Sequence, residues 1–365
     1  MGIFDQKVEL VLFLMIVYVL LTVVMLLLSI IELCNNGLTK MVRCLVVTLL
    51  IVLLGFRYEV GNDYQNYVET FQNLDWYKDV FEPGYIFLCQ FSQKLNLTYQ
   101  FPFFICSLLT VLPIAFLVNK TIPRMFCTSM TVYVLSYVYF EAMNTVRQAV
   151  AMSAFLLVFY FYIIKEQKLK ALLALIFGAL FHKSILIIAF LAFIISKFRD
   201  KFNIKLCLIL LLGSFVIGHC LQSFFDAISG LTMLLGLNSN YMDVFEERGV
   251  ASGTFQIYLN ISALYLLIFN KKQFSSKNRR NQIIALFYVA GIVIYNVFIS
   301  FYIGLRFYWY FYLFLILVIP NLLKKRKIKI RPLFFIALVL IITIYTFVSL
   351  QSKYYIDYNM NFSLF

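Results

Sequence analysis

Apolar runs broken by short polar connections repeat along the whole chain. As helices they fall at roughly 8–33, 41–56, 101–118, 126–140, 146–164, 169–181, 185–196, 205–224, 255–270, 281–304, 307–322 and 333–350. A bilayer core needs about 20 apolar residues per helix. The runs 8–33 and 281–304 meet that length, whereas 169–181 and 185–196 require tilt, a thinned bilayer or burial in protein. The pattern predicts an all-α, polytopic integral membrane protein with about twelve transmembrane helices in a single domain over 1–365. The first run is long, lacks a basic start and has no small-residue cleavage site, so it is taken as a retained span.

Two connections are long, about 57–100 and 225–254, and the remaining ones are tight. Alternation of sides allows one crossing between the first long loop and the loop at Lys120–Arg124. Of the two candidates there, 101–118 is the more apolar. Residues 84–97 are therefore expected as a surface or re-entrant amphipathic helix opened by Pro83. The second long loop, with its YMDVFEERGVASG stretch, is polar enough to cap the membrane.

Charge orients the spans. Alternate connections carry Lys40 and Arg43, then Lys120 and Arg124, then Lys165, Lys168 and Lys170. They continue with Lys197, Arg199, Lys201 and Lys205, the basic cluster at 271–280, and the run 324–331. In all, 22 of the 31 basic residues lie on one face, which the positive-inside rule makes cytoplasmic, and 14 of the 17 acidic residues lie on the other. Both termini are expected outside. A chain that is 63% hydrophobic and 13% charged is no ordinary soluble globule. Its net charge of +14 resides in short loops, which excludes nucleic acid as the partner, and the run 324–331 reads as a topology determinant, with attraction of anionic lipid as the other option. Seven cysteines show neither CxxC pairing nor metal-ligand spacing with histidine, so no disulfide framework and no metal site is expected.

Polar groups collect at or just inside the outer boundary: Arg57, Asp63, Arg147, Gln148, His182, Lys183, Arg248 and Arg306. Ionisable groups at membrane depth are costly and tend to face a cavity or a partner. One arginine at a helix end is commonly a snorkelling anchor. Four on the side where cations are disfavoured point to a site for a phosphorylated, lipid-linked substrate, since the planar guanidinium matches phosphate bidentately. Asp63, in the Gly61–Asp63 triad, fits either a helix N-cap or a general base. His182 fits either a hydrogen-bonded structural role or proton transfer at a hydroxyl. His219, in an apolar span, reads as structural. Glu246 and Glu247 fit a solvated face or a lid. The aromatic run Phe307–Phe311 fits a membrane-interface belt, with sugar stacking by Tyr308 or Trp309 as the other option. Asn260 and Asn296 are placed to bridge helices. No Walker loop, GxGxxG or HExxH is present, nor a cytoplasmic DxD pair, so no nucleotide cofactor is expected.

The ordered set RYxxGNDYxxY at 57–67, EPGY at 82–85, NTVRQAVA at 144–151, FHKS at 181–184 and the Arg306 segment ending in Pro320 resembles the EpsG family of bacterial polysaccharide proteins. That family includes many Wzy-type polymerases. The resemblance runs from about 40 to 322 and implies a GT-C-like fold in the bacterial inner membrane, active on its periplasmic or extracellular side. It implies an undecaprenyl-diphosphate-linked oligosaccharide as substrate, lipid diphosphate as leaving group, and no obligatory cofactor or metal. A chain-length regulator and other polysaccharide-assembly proteins are the implied partners. Asp63, His182, Arg147 and Arg306 are then the candidate catalytic residues. Arg57, Asn62, Tyr64, Gln148, Arg248 and Tyr308 are the candidate substrate-binding residues. A flippase for the same lipid-linked sugar is the principal rival. Polar residues gathered on one face, and the lack of hydropathy repeats between halves, weigh against it. A membrane O-acetyltransferase ranks below, because histidine is scarce and placed outward.

Overall fold

The computed structural model describes residues 15–234, 253–269, 279–300, 302–324, 327–350 and 358–364. Among these, six helices are long and apolar enough to cross a membrane: Ile16–Asn35, Gln100–Thr121, Val146–Ile164, Ile204–Leu221, Arg279–Val297 and Gly304–Lys324. A pair bent by 43° over 331–350 makes a seventh if it forms one span. The chain is an all-α integral membrane protein, but six or seven helices, and not about twelve, reach that length among the described residues. The shorter runs are helical too. Lys40–Gly55 has 16 residues, and Lys168–Phe181 and Ser184–Lys197 have 14 each.

Two compact units emerge, one from residues 1–189 with 319–365, the other from 190–318. In the first unit, helix α1 (Ile16–Asn35) is fastened to α6 (Phe126–Leu135) through the buried carboxylate of Glu32. Glu32 accepts from the backbone N–H of Cys127 at 3.0 Å and of Thr128 at 2.7 Å, and from the Thr128 hydroxyl at 2.9 Å. One helix thus supplies the anionic N-terminal cap of another, where orphan N–H groups and the dipole favour it. The apolar run expected at 126–140 is broken at Tyr137, whose φ of 67° is left-handed, a costly conformation for a bulky residue. The break ends α6 and redirects the chain into α7 (Val138–Asn144). The Leu135 carbonyl accepts from the Thr346 hydroxyl at 2.6 Å.

Between α2 (Lys40–Gly55) and α5 (Gln100–Thr121) the chain forms a strand β1 (Arg57–Tyr58), helix α3 (Tyr64–Gln72) and helix α4 (Pro83–Lys94). Helix α4 begins on Pro83, whose missing N–H costs nothing in a first turn. It has 12 residues, too few to span, and buries Tyr85, Ile86, Cys89 and Ser92 while Phe87 and Phe91 stay exposed. Its neighbour α5 has 22 residues and is long and apolar enough to cross a membrane. Helix α8 (Val146–Phe159) follows α7 and runs into a π-turn, and α9 (Lys168–Phe181) and α10 (Ser184–Lys197) complete the set that frames the site.

One feature lacks any sequence signal. The segment 358–364 lies over the first long connection as a strap, with β1 paired antiparallel to β2 (Asn359–Met360). Beyond that ladder, Asn361 donates to the Phe56 carbonyl at 2.8 Å and Thr98 to the Leu364 carbonyl at 3.0 Å.

The second unit contains α11 (Ile204–Leu234), α12 (Gly253–Phe269), α13 (Arg279–Val297) and α14 (Tyr302–Tyr312). Asn296 is fully buried and joins three of them. Its amide exchanges hydrogen bonds with Asn260 at 2.8 and 2.9 Å, accepts from Gln256 at 3.2 Å and donates to Ser214 at 3.0 Å. The expected bridging role of Asn260 and Asn296 is present, with Gln256 and Ser214 added. The aromatic run of α14 departs from an interface belt. Tyr308, Tyr310, Phe311 and Tyr312 are all within 2% of complete burial, packed edge-to-face and stacked inside the unit.

Candidate functional site

The first long connection is shaped by Arg57. This residue is 1% exposed, and its guanidinium donates to the carbonyls of Leu54 at 2.7 Å, Val60 at 3.2 Å and Met143 at 2.9 Å. The Phe103 ring lies 4.6 Å from its carbon. A planar five-donor fork suits carbonyls converging from several directions as well as it suits phosphate. The expected substrate contact of Arg57 is therefore revised. It closes the turn at 57–63 and ties it to the end of α7. Gly61 has a φ of 106°, and a Cβ there would lie 2.8 Å from the Met143 carbonyl and 3.0 Å from Asn144 Oδ1. The same Asn144 oxygen accepts from the Asn62 N–H at 2.6 Å. Only glycine combines that backbone with that closeness.

With the turn fixed, Asn62 is exposed and Asp63 half-buried at the start of α3. Asp63 occupies the N-cap position, yet its side chain makes no capping hydrogen bond. Tyr64 is buried and stacks on Phe103 at 5.2 Å, which revises its expected substrate contact to a core role.

Arg147 lies in the first turn of α8, three residues past Asn144. Its guanidinium carbon lies over the Phe81 ring, 4.0 Å from the centroid, and 6.0 Å from the Tyr67 ring centroid. It pairs with the carboxylate of Glu82, the residue that precedes Pro83. The second Glu82 oxygen is 3.5 Å from the backbone N–H of Lys183, at the turn between α9 and α10. Gly84 lies against the Leu180 carbonyl, so close that a Cβ would approach it to 2.7 Å. In that turn, the Ser184 N–H donates to His182 Nδ1 at 3.3 Å, with the Ser184 hydroxyl 2.6 Å from the same nitrogen. Nδ1 thus accepts the Ser184 N–H, which in a neutral ring puts the proton on Nε2.

Four segments far apart in sequence, 57–63, 81–84, 143–147 and 180–184, thus meet in the first unit. Tyr67 lies among them. Burial pushes its phenol up, Arg147 opposes that, and the Asp63 charge adds to it. The phenol therefore stays protonated as a hydrogen-bonding wall. Burial likewise pushes the Cys89 thiol up to about 12, which removes it from consideration as a nucleophile. Among the described residues no group of three His, Cys, Asp or Glu side chains is placed to hold a metal ion.

Gln148 is buried beside Arg147 on α8. Arg306 and Tyr308 belong to α14 in the second unit. Arg306 is half-buried there, while Tyr308 packs at 4.9 Å against Tyr295, which places its ring in the core and revises its expected sugar contact. Arg248, Glu246 and Glu247 lie outside the described residues. Four residues of this cluster carried no expectation: Glu82, Phe81, Tyr67 and Asn144. Glu82 and Asn144 fall inside the short EPGY and NTVRQAVA stretches, but nothing in either stretch reveals that its polar side chain serves another segment.

A family model described as the EpsG family matches residues 40–362. No curated protein and no solved structure matches the chain.

Proposed function

From the premise that this chain belongs to the EpsG family, we propose that it is a Wzy-type polysaccharide polymerase. Family membership points to polysaccharide polymerisation; the reaction and residue roles that follow are our own reading. The protein sits in the bacterial cytoplasmic membrane with the Arg147 cluster facing outward. It transfers a growing glycan from undecaprenyl diphosphate to the non-reducing-end sugar of an incoming lipid-linked repeat. A hydroxyl oxygen of the acceptor attacks the anomeric carbon, the bond from that carbon to the diphosphate oxygen breaks, and the diphosphate departs with the electron pair. Arg147 faces that developing charge, and a positioned donor of this kind lowers the barrier by about 3–4 kcal/mol. Asp63 accepts the acceptor proton, while His182, with its proton on Nε2, donates to a sugar or phosphate oxygen. A chain-length regulator and the other assembly proteins are its partners.

The observation that carries this reading is the convergence of RYxxGND, EPGY, NTVRQ and FHKS on Arg147, through the contacts of Met143, Asn144 and Glu82. Replacing Arg147 by alanine in a strain that depends on this protein should leave membrane insertion intact and reduce surface glycan to single repeats. Normal polymer lengths from that strain would remove Arg147 from the site. Loss of all outward glycan on deletion of the whole protein would point to a flippase instead.

A further inference from the structure

The Arg147–Glu82 pair poses a physical problem for any enzyme that binds a diphosphate on Arg147: the cation already has an anion. Both side chains are largely withdrawn from solvent, at 20% and 12% exposure, so their attraction is only partly screened. Glu82 has the N-cap backbone of α4, with φ of −65° and ψ of 146°, but makes no capping hydrogen bond. Its carboxylate turns away from its own helix toward Arg147. Arg147, for its part, has a second support besides Glu82. The Phe81 ring supports its guanidinium at 4.0 Å, and cation–π attraction is largest where water is excluded. Its Nε is buried without a hydrogen-bond partner, so the fork retains donor capacity.

Glu82 also has somewhere to go. Its other oxygen already lies 3.5 Å from the Lys183 N–H, at the opening of the 14-residue helix α10, and Pro83 places it at the opening of α4. Both helix N-termini favour negative charge. A carboxylate released from Arg147 therefore remains stabilised nearby.

We propose that Glu82 is the resident, displaceable counter-ion of Arg147: the diphosphate of the lipid-linked donor takes its place, and its return assists release of the lipid diphosphate product. Glu82 is thus a positioning residue that acts through Arg147. The diphosphate identity of the displacing anion rests on the polymerase reading. The displacement itself rests on the geometry of Glu82, Arg147, Phe81 and Lys183.

Purified full-length protein in detergent, titrated with inorganic pyrophosphate and followed by thermal shift, tests this without turnover. Glu82→Gln, which removes the competing charge while keeping the shape, should bind pyrophosphate about tenfold more tightly than the natural protein. Arg147→Ala should lose that binding. Glu82→Asp, one methylene shorter, should fall between, and it serves as the readout should the Gln variant fail to fold. In turnover with a lipid-linked repeat, Glu82→Gln should lower KM and kcat together and increase inhibition by added pyrophosphate, a split that a merely structural role would not produce. Unchanged or weaker pyrophosphate binding by both Glu82 variants would overturn the proposal. Tighter binding without any polymer formation by any form of the protein would leave the counter-ion standing and defeat the polymerase reading instead.

Discussion

Arg57 offers the sharpest separation between a residue that binds substrate and one that shapes its own loop. Its three backbone acceptors, at 2.7, 3.2 and 2.9 Å, belong to Leu54, Val60 and Met143, and its side chain is 1% exposed. Replacing it by methionine keeps much of the volume but leaves these carbonyls without the donor. A hydrogen bond to a charged group contributes about 1.5–3 kcal/mol, and three such bonds to one group overlap in their effects. The loss of stability should be about 3–5 kcal/mol, with about 1 kcal/mol of it from the Phe103 contact. For a chain of 365 residues that corresponds to a fall in unfolding midpoint of about 4–7 °C. Arg57→Lys keeps the charge but at most part of the fork, and should lose about half as much. The assay is thermal unfolding of the purified protein, paired with polymer formation normalised to folded protein. Arg57→Lys should retain activity per folded molecule. A variant as stable as the natural protein yet unable to polymerise would place Arg57 in contact with substrate and refute the loop-clamp account.

Other substitutions probe the remaining contacts. Gly61→Ala forces a left-handed alanine against Met143 and Asn144, costing about 1–2 kcal/mol before any displacement of the loop; a fall in kcat larger than the fall in stability is expected. Asp63→Asn should reduce kcat by about 10²–10⁴, whereas His182→Gln, which can still donate, should lose less; equal losses, or the reverse order, would reassign the base, and pH–rate profiles of both variants give the check. Asn296→Ala leaves Asn260, Gln256 and Ser214 to find new partners, and should destabilise the second unit by about 1–2 kcal/mol. An Asn260→Ala, Asn296→Ala double-mutant cycle with no coupling would contradict the reciprocal amide pair.

Much of this architecture was legible in the apolar pattern, because hydrocarbon burial demands it at every position. The membrane class, the short α4 opened by Pro83 and the Asn260–Asn296 bridge follow from length, proline chemistry and the cost of buried amides. The break at Tyr137 did not follow, since no proline or glycine announces it. Arg57 misled for a definite reason: its fork satisfies converging carbonyls and phosphates alike, and only the fold shows which are present. The run Phe307–Phe311 misled similarly, as interfacial and buried aromatics look alike in sequence. The two-residue pairing of 57–58 with 359–360 is too short to leave a periodic signal. Glu82 and Asn144 were visible as parts of short recurring stretches, but their targets lie 65 and 82 residues away in sequence, a distance no local pattern encodes.

The central claim is that the cluster around Arg147 performs glycan transfer powered by the lipid diphosphate bond. Its most direct test is incubation of the purified protein, in liposomes, with a lipid-linked oligosaccharide repeat and no nucleotide. The account predicts a ladder of products from the natural protein, release of one lipid diphosphate per added repeat, and neither from Arg147→Ala at equal incorporation. A ladder of undiminished length from Arg147→Ala, or no ladder from the natural protein while the repeat crosses the bilayer, would contradict it.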